Sequence, residues 1–279
     1  FLGKQINLPT PDARLVEFHL NGITHGVYLE YASIDEGFLR RNNFMPVNIY
    51  KGEQFHTGRD QFKGVELFNN PALWEKSAIF NQRETENFDD IRAMISLIPA
   101  SKSSEKKLSE LSFIADTVEW AKFDAFQTLL QSWHNDDEHN MRLISDVWKG
   151  KMLPIVYEVI SNIDPNQELV FENPPHSLFK RFNESSQFLY FKYKALYSML
   201  NQKLLSSASS HIISLEDLFQ NSISRDVFRG RSIDVRGNNN QSSIMTWSQY
   251  AANLEKRERH LLDILSLSPD SSWVFKNNT

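Results

Sequence analysis

The chain has no cysteine. A disulfide framework, a cysteine zinc site and a thiol nucleophile are therefore excluded. The compartment stays open, because a cysteine-free chain suits export, a cell surface or the cytosol. No apolar run approaches the roughly 20 residues of a membrane-spanning helix. No long block of like charge occurs, and the formal net charge of -5 argues against a dedicated nucleic-acid binder. Three glycine signatures are also missing: the G-x-x-x-x-G-K-[ST] phosphate loop, the dinucleotide G-x-G-x-x-G and the serine-hydrolase elbow G-x-S-x-G. The first residue is Phe1 and no signal peptide is visible, so the expectation is a processed or excised piece of something longer.

What remains is an ordinary folding composition. The 279 residues are 41% hydrophobic and 23% charged, enough for one large domain or two lobes around a cleft. The first fifty residues have β periodicity. Val16, Phe18 and Leu20 alternate with polar residues, and so do Val27, Leu29 and Tyr31, around the turn signal Asn21-Gly22. Ile23 to His25 suggest a loop longer than that dipeptide. A third strand is expected in "MPVNIYKG", and the three together read as one sheet with a solvated face. Ser33 and Glu36 have capping-box spacing ahead of a short helix. Trp74 in "NNPALWEKSA" reads as the start of a packed helix.

From about Thr85 the period becomes helical. Phe88, Ile91, Ile95 and Ile98 share a stripe that Pro99 ends. A helix is expected from Thr117 to Trp133, with Val118, Ala121 and Leu129 among its apolar positions. "KMLPIVYEVI" is a strand candidate. Leu189, Tyr193, Leu196, Leu200 and Leu204 predict one long helix, and "SLEDLFQ" a short one. A loop-rich stretch follows at 225–241, then a last helix opened by the Thr246/Gln249 capping box and carrying Tyr250, Leu254, Leu261 and Leu265. The order is an α+β layout, with a β-rich part over residues 1–83 and a mainly helical part over 84–279.

Between the helix ending at Trp133 and the strand candidate stand seven polar residues, His134 to Asn140. His134, Asp136, Asn140 and Glu158 suit phosphoryl transfer: a carboxylate to take the proton of an incoming hydroxyl, then an amide oxygen and a second carboxylate for magnesium. His134-Asn135-Asp136 echoes the H-R-D of conventional kinases, but Asn140 follows Asp136 by four residues rather than five. Two other readings stand beside this one. One is a solvated loop of capping residues; the other is a zinc site of His134, Asp136 and His139, whose spacing matches no H-E-x-x-H pattern. Lys51 is either a phosphate-contacting lysine or a solvated strand end.

These pieces, in this order, resemble the CotH family of atypical, spore-coat-type kinases. "ARLVEFHLNGITHGVYLEYASIDEGFLRRN", "VNIYKG", "NNPALWEKSA", "HNDDEHNMRLISDVWKGKMLPIVYE", "NPPHSLFKRFNESSQFLYFKYKALYSML" and "YAANLEKRERHLLDIL" resemble successive family segments across nearly the whole chain. The resemblance implies a kinase-like fold and a phosphotransferase that uses ATP and Mg2+ on a protein hydroxyl, serine first. It implies Asp136 as the catalytic base, with Asp137 as the register alternative. Asn140 and Glu158 would be magnesium ligands, and Lys51 would lie near the nucleotide. Two departures favour an alternative, a pseudokinase-like structural or interaction protein of a surface or coat assembly. Ala32 stands where the family has a glutamate, with Glu30 two residues earlier on the same strand parity, and Val156 stands where the first metal-strand aspartate is common.

Overall fold

The structure is a computed structural model that describes residues 1–53, 65–98, 105–132, 134–159, 163, 177–225 and 246–266. In chain order the elements are α1 (Leu2–Gln5), β1 (Ala13–Leu20), β2 (Ile23–Tyr31), α2 (Glu36–Arg41), β3 (Asn48–Gly52), β4 (Trp74–Ala78), α3 (Asp89–Ser96), α4 (Glu105–Ile114), α5 (Thr117–Leu130), β5 (Met141–Asp146), β6 (Lys151–Pro154), α6 (Ser177–Phe182), α7 (Ser186–Asn201), α8 (Leu204–Arg225) and α9 (Trp247–Ser266). This is an α+β fold, with sheet structure early and mostly helices later. Trp133, Pro99 and positions 226–241 of the loop-rich stretch lie outside the described residues. Among the described residues no helix is long and apolar enough to cross a membrane.

The three early strands do not share one sheet. β1 and β2 form a two-stranded antiparallel sheet of their own, while β3 sits inside a four-stranded sheet of order β4-β3-β5-β6. The reason lies in burial. Ile49 and Tyr50 of β3 are both fully buried on opposite faces, so β3 needs neighbours on both edges and layers on both sides. Tyr50 and Leu143 face a large core built with the helices; Ile49 and Ile144 face a smaller one closed by Phe38 and Leu39 of α2. Complete burial of such side chains contributes ~1.5–3 kcal/mol each. The hairpin strands instead leave Phe18, Leu20, Leu29 and Tyr31 exposed. Asn21 and Gly22 make a tight two-residue turn, with φ of 52° and 78°, and Leu20 pairs directly with Ile23. Ile23 to His25 therefore belong to the strand and not to a longer loop.

Trp74 opens strand β4 and not a helix. Asn70 caps a single 3-10 turn at Pro71–Leu73, after which the chain extends and pairs with β3. The Trp74 indole donates to Leu67 O at 2.9 Å and covers Gly52, where an added Cβ would come within 2.9 Å of the ring. At α2 the cap is Asp35 rather than Ser33, its Oδ1 accepting from Gly37 N and Phe38 N.

The helical stripes fall largely where periodicity puts them, with Ile91, Ile95, Ile98, Ala121, Leu129, Leu254 and Leu261 buried, although Val118 is exposed. The predicted long helix breaks at Gln202-Lys203, where Lys203 takes a φ of 51°, so Leu204 begins α8. That helix runs through "SSASS" and "SLEDLFQ" together. Its start is capped from afar: Glu258 of α9 accepts from Leu205 N at 3.0 Å and from Ser206 N at 3.2 Å. The Thr246/Gln249 capping box forms reciprocally, at 2.8 and 3.1 Å.

Candidate functional site

Helix α5 packs on α7 and delivers the polar loop to the edge of the sheet. Gln131 ends it in the left-handed region, with a φ of 51°. The buried guanidinium of Arg257, from α9, donates to the terminal carbonyls of Thr128 and Leu129 at 2.8 and 3.4 Å. A cation at a helix C-terminus is favourably placed against the macrodipole.

The loop then folds around its own carboxylates. Asp136 Oδ1 accepts from Glu138 N at 2.8 Å, His139 N at 3.0 Å and His139 Nδ1 at 2.6 Å. Asp137 turns the other way. It is 9% exposed, and its carboxylate accepts from Ser177 N at 2.8 and 2.9 Å and from Ser177 Oγ at 3.0 Å, at the start of α6. Burial, with Glu66 adding to it, pushes the Asp137 carboxyl up to about 6 against the Ser177 bonds. The two adjacent aspartates thus have different surroundings: Asp136 half-buried at the loop surface, Asp137 spent on a helix start.

Asn140 closes the loop with a φ of 64°, a conformation asparagine tolerates better than most residues, and donates its amide to His134 O at 3.2 Å. Glu158, just past β6, also has a positive φ, 44°. That is rare for a glutamate and marks a locally held backbone. Its Oε2 lies 3.3 Å from His134 Nε2, and the His134 and His139 rings meet edge to face at 5.2 Å. Asp136, His139, His134 and Glu158 are thereby linked in a row, with Asn140 bonded to the backbone of the same histidine.

Arg142 approaches the Glu158 end of this row through Tyr157. Lys51 of β3 is the cross-strand partner of Arg142 on β5. The Arg142 guanidinium is buried and stacks 4.3 Å from the Tyr157 ring centre, with Glu53 at 4.0 Å. Burial pulls the Arg142 value down, partly offset by Tyr157 and Glu53. Tyr157 is held well above the usual phenol range, by burial first and then by hydrogen bonds to Tyr31 and Glu158. The end of the β1–β2 hairpin therefore reaches the site through Tyr31. Lys51 is related to the site only by its place opposite Arg142 in the sheet. Glu30 is not turned toward it: its carboxylate pairs with Arg14 across the exposed hairpin.

Does this set fit magnesium? The Asn140 amide nitrogen is engaged with His134 O, which leaves its oxygen as the end for a hard cation. Glu158 is half-exposed and adds a carboxylate. Magnesium commonly takes one or two carboxylates and completes its shell with phosphate oxygens and water, so the donors fit. Among the described residues no three histidines or carboxylates are grouped to hold a metal. A zinc site of His134, Asp136 and His139 gains no support, since His139 Nδ1 is bonded to Asp136 and His134 faces Glu158.

Sequence reasoning missed two residues here. Asn135 is 1% exposed; its amide donates to Asn140 O and Tyr157 O, both at 2.8 Å, and accepts from Gln127 Nε2 at 3.3 Å. Arg142 was hidden because a basic residue in an alternating strand reads as its solvated face. A polar cavity of about 480 Å³ lies apart from the site, and its Lys4 and Arg41 are both paired with Asp12. The family model described as CotH kinase protein matches residues 2–261. No curated protein matches the chain.

Proposed function

The chain belongs to the CotH kinase family and is kinase-like; from that premise we propose that it transfers phosphate from ATP to a protein hydroxyl, serine first, with Asp136 as base. One observation carries the reading: the row of contacts that links Asp136, Asn140 and Glu158, from the polar loop and from the segment after β6, around His134 and His139. Three donors already converge on Asp136 Oδ1, so the substrate proton would pass to Oδ2. Asn140 and Glu158 would hold Mg2+, which when bound offsets charge on the phosphates. Lys51, beside Arg142, would meet the phosphate side of the nucleotide.

The test is thermal unfolding with ATP and Mg2+, followed by radiolabel transfer to a serine-rich acceptor protein. Saturating nucleotide, at about a hundred times its Kd, contributes about 2.7 kcal/mol and should raise Tm by roughly 5 °C. No rise and no transfer would overturn the proposal.

Val156 favours a second reading, a pseudokinase-like structural or interaction protein of a surface or coat assembly. Its side chain packs against the main core and its N–H bonds Pro9 O at 2.9 Å, so it offers no carboxylate to a metal. No nucleotide-induced rise in Tm together with no label transfer is the outcome expected from that reading.

A further inference from the structure

Asn140 and Glu158 lie in different connecting segments, one just before β5 and one after β6, yet both have a positive φ, 64° and 44°. Neither is glycine, so each backbone conformation needs something to hold it. One amide group touches the chain at both places. Asn135 Nδ2 donates to the carbonyl of Asn140 and to that of Tyr157, each at 2.8 Å. The Tyr157 carbonyl belongs to the peptide plane that ends at Glu158 N, so fixing that oxygen fixes the plane about which the Glu158 φ is set. The amide is itself oriented by Gln127 of α5, whose Nε2 donates to Asn135 Oδ1 at 3.3 Å. Asn135 and Gln127 are 1% and 2% exposed, so water does not compete for these bonds.

We infer that Asn135 is a positioning residue that sets the spacing of a hard-cation site made by Asn140 and Glu158, and that Gln127 fixes its orientation. The inference rests on the magnesium part of the proposed function. It concerns geometry rather than contact: Asn135 reaches the cation only through the two residues it holds. Removing such an outer support of a metal ligand typically weakens binding about 10–100-fold.

The experiment uses Tb3+, an oxygen-seeking luminescent probe, on the full chain, excited through tyrosine and tryptophan and competed with Mg2+. The wild-type chain should give saturable luminescence that Glu158→Gln weakens. Asn135→Ala should weaken Tb3+ binding by about tenfold or more. If that variant does not fold, Gln127→Leu decides. It removes the donor to Asn135 and also an Oε1 that has no hydrogen-bond partner among the described residues, and leucine occupies similar space, so the variant should fold with a lowered Tm. A loss of affinity of about threefold or more is expected there. Ser185→Ala supplies the control for a merely structural effect. It deletes the α7 cap, lowers Tm and should leave Tb3+ affinity unchanged. Wild-type affinity in Asn135→Ala, or in Gln127→Leu where it decides, would overturn the inference, as would absence of Tb3+ binding by the wild-type chain. Tb3+ binding that depends on Asn135, in a chain that transfers no phosphate, would uphold the inference and overturn the transfer reaction. ATP transfer without any Tb3+ site would do the reverse.

Discussion

Glu158 and His134 stand on opposite sides of the β5–β6 hairpin, yet Glu158 Oε2 lies 3.3 Å from His134 Nε2. The contact ties the end of the metal-strand candidate to the start of the polar loop. It also directs one carboxylate oxygen at the imidazole, while the Tyr157 hydroxyl bonds the same carboxylate.

Glu158→Gln should therefore remove the negative charge that a cation needs while keeping a hydrogen-bond acceptor for His134. The concentration of Mg2+ that gives half-maximal nucleotide-induced stabilisation should rise by about tenfold or more, with Tm of the ligand-free chain nearly unchanged. Titration of Tm against Mg2+ at fixed ATP checks it. An unchanged half-point would remove Glu158 from the ligand set.

Asp136→Asn should abolish label transfer. The amide oxygen can still accept from Glu138 N and His139 N, so the stability change should stay within about 1 kcal/mol. Radiolabel transfer with Tm as the folding control decides it, and full activity in the variant rejects Asp136 as base.

Asp137 should reveal itself through pH rather than through catalysis. Its carboxyl titrates at about 6 in the fold against 3.8 as reference, because burial disfavours the charge. Between those values the native state binds the extra proton, so the stability it contributes is present at low pH and lost as pH rises through about 6. Urea midpoints measured from pH 4 to 7 should fall for the wild-type chain relative to Asp137→Asn. Parallel curves would show that Asp137 is not held in this way.

Arg257→Met should cost about 2–3 kcal/mol, because a buried guanidinium that caps α5 is lost and its carbonyl partners stay buried. Burial lowers its pKa to about 10, which leaves it fully charged at neutral pH. Chemical denaturation measures the loss. A change below about 0.5 kcal/mol would mean that water replaces the guanidinium at the end of α5.

Much of the fold is legible in local pattern, because strand and helix periods are set by neighbours in sequence. The alternation at Val16 to Leu20, the stripe from Ile91 to Ile98 and the Thr246/Gln249 box all rest on short-range geometry. Sheet membership does not. Nothing in "VNIYKG" says that its partners are β4 and β5 rather than the hairpin before it. Trp74 misleads because an aromatic after Pro71 suits a helix start as well as a strand; the pairing with Gly52 decides. In the loop, carboxylates announce themselves by type. Asn135 does not, since a buried amide that bridges two distant carbonyls has the same letter as a surface cap.

The four-stranded sheet takes β3 and β4 from one stretch of chain and β5 and β6 from another, on either side of α3, α4 and α5. Each stretch alone would carry a two-stranded ribbon with a bare edge, the template for misassembly. A chain severed between α3 and α4 should therefore behave as two complementary fragments that are insoluble apart and recover structure when mixed. By the same logic, neither half is a unit that recombination could move into another protein and leave folded.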